Sequence, residues 1–371
     1  MTRLATSLAL AGAIGLGLSA PAGAEDATPA PGAPGTVERP AAAAAIDTSR
    51  PARSPLPGGI RAFQARIRAE LEGESTDDTR IYGGALADPG EWPHQASLEV
   101  RFPPDENGRA SSAICGSSLI ARQWALTAAH CVVDAATMRP FSPDSVTVGT
   151  GSNAFGGGDR RAVERIVVHE GYGRGVGFEH DIALLKLAEP IGESAGPVSA
   201  IRVPQQGEPI PEGPAVVVGW GQVESGQASA DLRETDIEIV ARQTCEDGLR
   251  GALTEELRLF LLQLNGMMQI DMEVLEASFG ALAGGMRAPI TDNMICAGTA
   301  SGERDSCFGD SGGPLMTRAE DGGWVQRGIV SWGYVPIAFG SGRVCGNPNV
   351  FAVYTNLANY YDWIAGHVRG G

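Results

Sequence analysis

Residues 307 to 315 read CFGDSGGPL, and the glycines around Ser311 would let its hydroxyl come close to a substrate carbonyl. A Gly-Ser run alone also describes an ordinary turn. Two further stretches raise its weight. LTAAHC ends in His130 and Cys131, and HDIALLKL carries Asp181 just ahead of an apolar run. A serine hydroxyl is a weak nucleophile until an imidazole takes its proton, and the imidazole needs a carboxylate to fix its tautomer and stabilise its cation. Serine, histidine and aspartate together point to acyl transfer through a covalent serine ester.

These residues must be carried by something rigid. Beyond residue 81 the chain consists of short β-rich runs separated by Gly, Pro and Asp, among them HQASLEV, SVTVGT, AVERIVVH, AVVVGW, RETDIEIV and WVQRGIVSW. Many short strands without long helices between them predict an all-β fold, an antiparallel barrel or sandwich. LANYYDWIAGHV reads as an amphipathic C-terminal helix. One region breaks the pattern: residues 252–286 place Leu257, Phe260, Leu261 and Leu264 on one helical face, with Thr254-Glu255-Glu256 as a start signal and Asn265-Gly266 as a stop. A second helical pattern follows through Ile270, Val274, Leu275 and Phe279. The expectation is a helical hairpin that buries its apolar face against the barrel, with an exposed docking face as the rival.

The motifs IYGG, EWPHQASL, CGSSLI, LTAAHC, DIALLKL, GWG, MICAG, DSCFGDSGGPL, GIVSWG and VYTNLANYYDWI occur in that order across residues 81 to 368. In this the sequence resembles the chymotrypsin/trypsin family of serine endopeptidases. The resemblance implies two packed antiparallel β-barrels with the reacting groups in the crevice between them. It implies that His130 is general base and acid, Asp181 its orienting carboxylate and Ser311 the nucleophile, with the N–H groups of Gly309 and Ser311 as oxyanion hole. Asp305, beside Ser306, stands where trypsin-like members place a pocket-floor carboxylate, which favours Arg or Lys in the substrate. Ser331, Trp332 and Gly333 resemble the pocket wall and the strand that pairs with extended substrate. Ala352 departs from the pattern, because trypsin-like members carry glycine there, and this leaves the Arg/Lys balance open. The family pattern pairs Cys115 with Cys131, Cys245 with Cys296, and Cys307 with Cys345. It requires no cofactor or metal, although a calcium loop stays open. His94, His169, His180 and His367 stand in family-like or terminal contexts without a second catalytic group of their own and are read as structural or solvated.

Residues 1–24, with Arg3, an apolar run and Ala22-Gly23-Ala24, fit an export signal peptide cut after Ala24. That predicts a secreted or periplasmic protein without a stable membrane anchor. Six cysteines suit such a compartment. Residues 25–80 are expected to be a largely disordered propeptide, rich in Pro, Ala and Gly, with one amphipathic stretch at 61–72 carrying Phe63, Ile67 and Leu71. The protease domain is 81–371. The resemblance implies a zymogen cut between Arg80 and Ile81, whose freed amine would meet Asp310, either by another protease or by itself. A formal net charge of −16 argues against a nucleic-acid partner; protein or peptide substrates with Arg or Lys are the expected partners. A silent binding protein on the same scaffold and a narrow processing protease remain as alternatives.

Overall fold

The computed structural model describes residues 83–104, 107–175, 177–192, 198–223, 225–336 and 345–370. The predicted signal peptide, propeptide, Arg80 and Ile81, and most of the loop after Gly333, lie outside these residues.

Strand β1 (Ala85–Leu86) leads into β2 (Gln95–Phe102), β3 (Ser111–Ala121) and β4 (Trp124–Thr127). A short ribbon of β5 (Val133–Asp134) and β6 (Arg139–Pro140) precedes β7 (Val146–Thr150), β8 (Asp159–Val168) and β9 (Ala183–Leu187). Strands β2, β3, β4, β9, β8 and β7 close into an antiparallel barrel in that order. The second half contributes β10 (Gly213–Gly219), β11 (Arg233–Val240), β12 (Met294–Gly298), β13 (Pro314–Arg318), β14 (Trp324–Trp332) and β15 (Ala352–Asn356). Their sheet runs β11-β10-β13-β14-β15-β12 and closes through a β11–β12 pairing, with β1 added on the outside of β11. The all-β double barrel expected from the sequence is therefore present, and closure leaves few unpaired edges.

Alternation explains the strands. In β11, Arg233, Thr235, Ile237 and Ile239 are buried while Asp236 and Glu238 are exposed, a period of two with one face inward. Strand β9, ALLKL, buries all but its lysine and supplies the centre of the first core with Leu98, Leu126 and Ile182. Each such leucine removes apolar area worth about 1.5–3 kcal/mol from water. The C-terminal segment forms a 3-10 turn at Leu357–Asn359 and helix α3 (Tyr361–Gly370), and Leu357, Tyr360 and Ile364 pack into that first core rather than the second. The end of the chain thus crosses back over the first barrel. All three disulfides form with the expected pairing: Cys115–Cys131, Cys245–Cys296 and Cys307–Cys345.

The insertion differs from its predicted bounds of 252–286. Helix α1 runs Arg242–Met268 and α2 runs Met272–Gly285. Thr254 is no start signal: its hydroxyl donates to the Arg250 carbonyl one turn back (2.7 Å), so it sits within the helix. Asn265-Gly266 is no stop either; α1 ends at Gln269, which adopts a left-handed φ of 50° and donates its N–H to the Asn265 carbonyl. Asp271 caps α2 by accepting from the N–H groups of Glu273 and Val274. The expected burial against the barrel holds only at the root. Cys245 and Leu249 are buried there with Cys296, Phe351 and Val353, and Leu275 is buried in α2. Farther out the hairpin leaves Phe260, Met267, Met268, Met272, Val274 and Leu282 exposed.

Candidate active site

His130 lies on a single 3-10 turn, Ala129–Cys131, directly after β4, and the Cys115–Cys131 bond ties that turn to β3. Asp181 precedes β9 and is completely buried. The residue before it, His180, takes a left-handed φ of 59°, which turns the chain so that Asp181 points inward and Ile182 enters the core. One oxygen of Asp181 accepts from the His130 backbone N–H (2.8 Å), and the other meets the His130 ring at Nδ1 (2.7 Å). Ser331 on β14 donates to that second oxygen, and Thr355 on β15 donates to the Asp181 carbonyl (2.7 Å). An aspartate of the first barrel is thus held by two strands of the second. Burial lowers the pKa of His130, but the Asp181 charge and hydrogen bond together prevail and hold it above the ordinary histidine value. Such an imidazole, fixed at Nδ1, presents Nε2 as a proton acceptor.

Ser311 arrives from the other side on the loop between the Cys307–Cys345 bridge and β13. Its carbonyl accepts from Gly116 N–H on β3 (2.7 Å) and touches Cys131 Sγ at 3.5 Å, which places the serine beside the histidine turn. Gly312, with φ of 83°, packs so closely that a Cβ would strike the Thr127 hydroxyl and the Gly116 carbonyl. Among the described residues Ser311 Oγ makes no hydrogen bond, and the N–H groups of Gly309 and Ser311 donate to none. Both donors are therefore available to an incoming oxyanion.

Below the serine sit two buried carboxylates. Asp310 accepts from Gly221 N–H (2.8 Å) and Cys307 N–H (2.9 Å), with no cation paired to it among the described residues. Burial pushes its pKa up to about 6, against the pull of those two bonds. Asp305 accepts from Gly346 N–H (3.1 Å) with one oxygen, while the other is buried with no hydrogen-bond partner among the described residues. Burial raises Asp305 to about 7, main-chain bonds from Gly346 and Ser306 oppose this, and the nearby Asp310 adds to it. An orphaned carboxylate oxygen is costly unless a ligand completes it. Ser306 accepts from the Tyr354 hydroxyl at 3.1 Å, and Ala352 packs in the same apolar cluster as Tyr354. Trp332 is half-buried, and a Cβ at Gly333 would meet open space.

A profile described as Trypsin matches residues 81–260 and 263–364. The chain belongs to the trypsin family of serine proteases. Among curated relatives, the "Suppressor of tumorigenicity 14 protein homolog" of Bos taurus is 32% identical over 79% of this chain and 28% of its own length. "Transmembrane protease serine 7" is 34% identical in Homo sapiens and 32% in Rattus norvegicus, each over 78% of this chain and 28% of the relative. The chain thus spans 28% of the length of the curated relatives it matches. Among the described residues no helix is long and apolar enough to cross a membrane.

Around this trypsin-family site stand residues that the sequence did not single out. Phe178 sets its ring edge-to-face on His130 with centroids 5.8 Å apart and remains 43% exposed, so it can shield the imidazole while touching substrate. Tyr334, just past Gly333, bonds to Glu256 of α1, which joins the hairpin to the rim of the site. Nothing local marks either residue; both depend on contacts between distant segments. His94 is buried against Met316 (Nε2···Sδ 2.9 Å), and His169 stacks on His180 (4.8 Å) beside Tyr360 and Trp363. Cys115, His130 and Cys131 lie close enough to hold a metal ion, but the two sulfurs are joined to each other and offer no thiolate.

Proposed function

We propose that this chain is an exported serine endopeptidase that cuts after Arg or Lys. Asp305 carries the reading: a buried carboxylate with one unpaired oxygen suits a guanidinium or ammonium group and rejects apolar and acidic side chains. His130 would take the Ser311 proton as Oγ attacks, and Asp181 would stabilise the imidazolium that results. Gly309 and Ser311 N–H groups would hold the oxyanion, His130 would then protonate the leaving amine, and water would repeat the sequence to release the acid.

We read the chain as a zymogen. Gly83, with φ of 75°, packs against the Glu303 carbonyl so closely that a Cβ would collide, which brings the start of the described chain within two residues of Asp305. Cleavage after Arg80 would free an amine at Ile81, and Asp310, which has no cation among the described residues, is its natural partner. Arg80 itself suits a pocket floored by Asp305, so self-activation fits as well as a separate activator.

Mapping of the bonds cut in a peptide library, with Ser311→Ala as the blank, tests the specificity. Cleavage after residues other than Arg and Lys would overturn it. For activation, Arg80→Gln should leave the chain uncut and at background activity; full activity in that uncut variant would sink the zymogen reading.

A further inference from the structure

The outer part of the hairpin is an apolar surface that the barrel does not cover. Phe260 and Met267, seven residues apart, share one face of α1, and Met268 and Met272 flank the turn, with Met267 at 68% and Met268 at 69% exposure. Residues 255–276 carry five carboxylates (Glu255, Glu256, Asp271, Glu273, Glu276) and one arginine, Arg258. The surface therefore suits an apolar stripe bordered by positive charge.

The same chain contains such a stripe. At helical spacing Phe63, Ile67 and Leu71 fall together, with Arg61 and Arg68 on one flank and Arg66 on the other; Glu70 is the one carboxylate between 61 and 71. The tether reaches. Gly83 packs against Glu303, Gly302 against Gly346 and Asn347, and Gly248 of α1 against the Asn349 carbonyl, so the described chain begins close to the root of the hairpin. The residues from Leu71 to Gly83 span up to about 40 Å when extended, and the exposed face begins about 18 Å along α1 from Gly248. A covalent tether of that length also keeps the local concentration of the segment high.

We propose that residues 61–71 dock as an amphipathic helix on the outer face of the hairpin, their apolar stripe on Phe260 and Met267 and their arginines among its carboxylates. The prosegment then has two functions in different places: Arg80 holds the bond to be cut, while 61–71 cover a surface that is bared when the segment departs. This assignment does not depend on catalysis or on specificity.

The test uses the full chain carrying Ser311→Ala, which cannot process itself. Hydrogen exchange is compared with the same protein bearing Phe63→Asp and Ile67→Asp. Amides of 256–282 should exchange at least tenfold faster in the substituted protein, with those of the barrels unchanged. Conversely, Phe260→Asp with Met267→Asp should speed cutting after Arg66 and Arg68 by an added Arg-specific protease at least tenfold. Equal exchange in the first pair would overturn the proposal. So would protection that persists in the substituted protein and rises with concentration, which would assign the face to a second copy, or protection appearing only with phospholipid vesicles.

Discussion

If Asp305 receives the substrate's cation, the preference for Arg or Lys must itself titrate. Its pKa of about 7 in the empty pocket means that at pH 8.5 the carboxylate is ionised and at pH 6 it is largely neutral. The value of kcat/KM reports groups of the free enzyme, so the ionised fraction should scale the advantage of a basic over a neutral substrate, down about tenfold from plateau to pH 6. His130 also changes protonation, with its pKa held above the ordinary value by Asp181 against burial, and its titration must be separated from that of Asp305. Loss of the base affects both substrates alike, and the ratio of kcat/KM for paired peptides with Arg or Met at the cleaved position cancels it. In Asp305→Asn the amide oxygen can still accept from Gly346 N–H, so the loop keeps its bond while the charge is gone. Removing one partner of a buried charge pair costs about 2–5 kcal/mol, or about 30- to 5000-fold in the Arg rate, and the ratio should then be flat with pH. A ratio that is already constant between pH 5.5 and 8.5 in the unsubstituted enzyme would refute the reasoning, because the buried Asp305 carboxylate could not then be the group that reads the substrate.

Asp181→Asn should lower kcat by about four orders of magnitude, the size this change has in the chymotrypsin-type triad, and move the acidic limb of the pH–rate profile downward, since Asp181 is what holds the His130 pKa up; an unmoved limb would assign it to another group. Gly83→Ala forces a Cβ into the Glu303 carbonyl at a left-handed φ, so the cleaved protein should lose activity while melting as a folded barrel, whereas Gly266→Ala, facing open space in α1, should leave activity unchanged; equal activities in the two would refute the packing argument. Burial lowers the His94 pKa to about 4, so the stability from keeping it neutral is complete above the unfolded value and is lost as pH falls from there through about 4. That amounts to about 3 kcal/mol, and His94→Gln should flatten the fall of Tm over that interval; an unchanged slope would show that other groups carry the acid sensitivity.

What could be read in advance depended on the range over which the physics acts. Strand β11 declared itself because RETDIEIV alternates within eight residues. The approach of Ser311, His130 and Asp181 could be expected from the family's motifs. The start of α1 could not: Gly248 and Gly251 weaken the local helix signal, and it is the root packing of Cys245 and Leu249 that carries the helix back to Arg242. Phe178 on His130, Ser331 and Thr355 on Asp181, and Glu256 on Tyr334 join residues far apart in the chain, so no window contains both members. The apolar faces of the hairpin were legible but their burial was not: Phe260 and Val274, expected to pack on the barrel, stay exposed, since periodicity reports which face is apolar but not whether anything lies against it.

Gly116 N–H of β3 holds the carbonyl of Ser311, while Ser331 and Thr355 of the second barrel hold Asp181 of the first. Each half of the molecule therefore keeps the other half's reactive group in place. Were the chain severed between the barrels, neither fragment would contain a complete reaction centre, and hydrolysis would return only to the extent that the fragments found each other. Turnover would then count reassembled molecules, and the two halves could be tethered to other proteins as a sensor of their association.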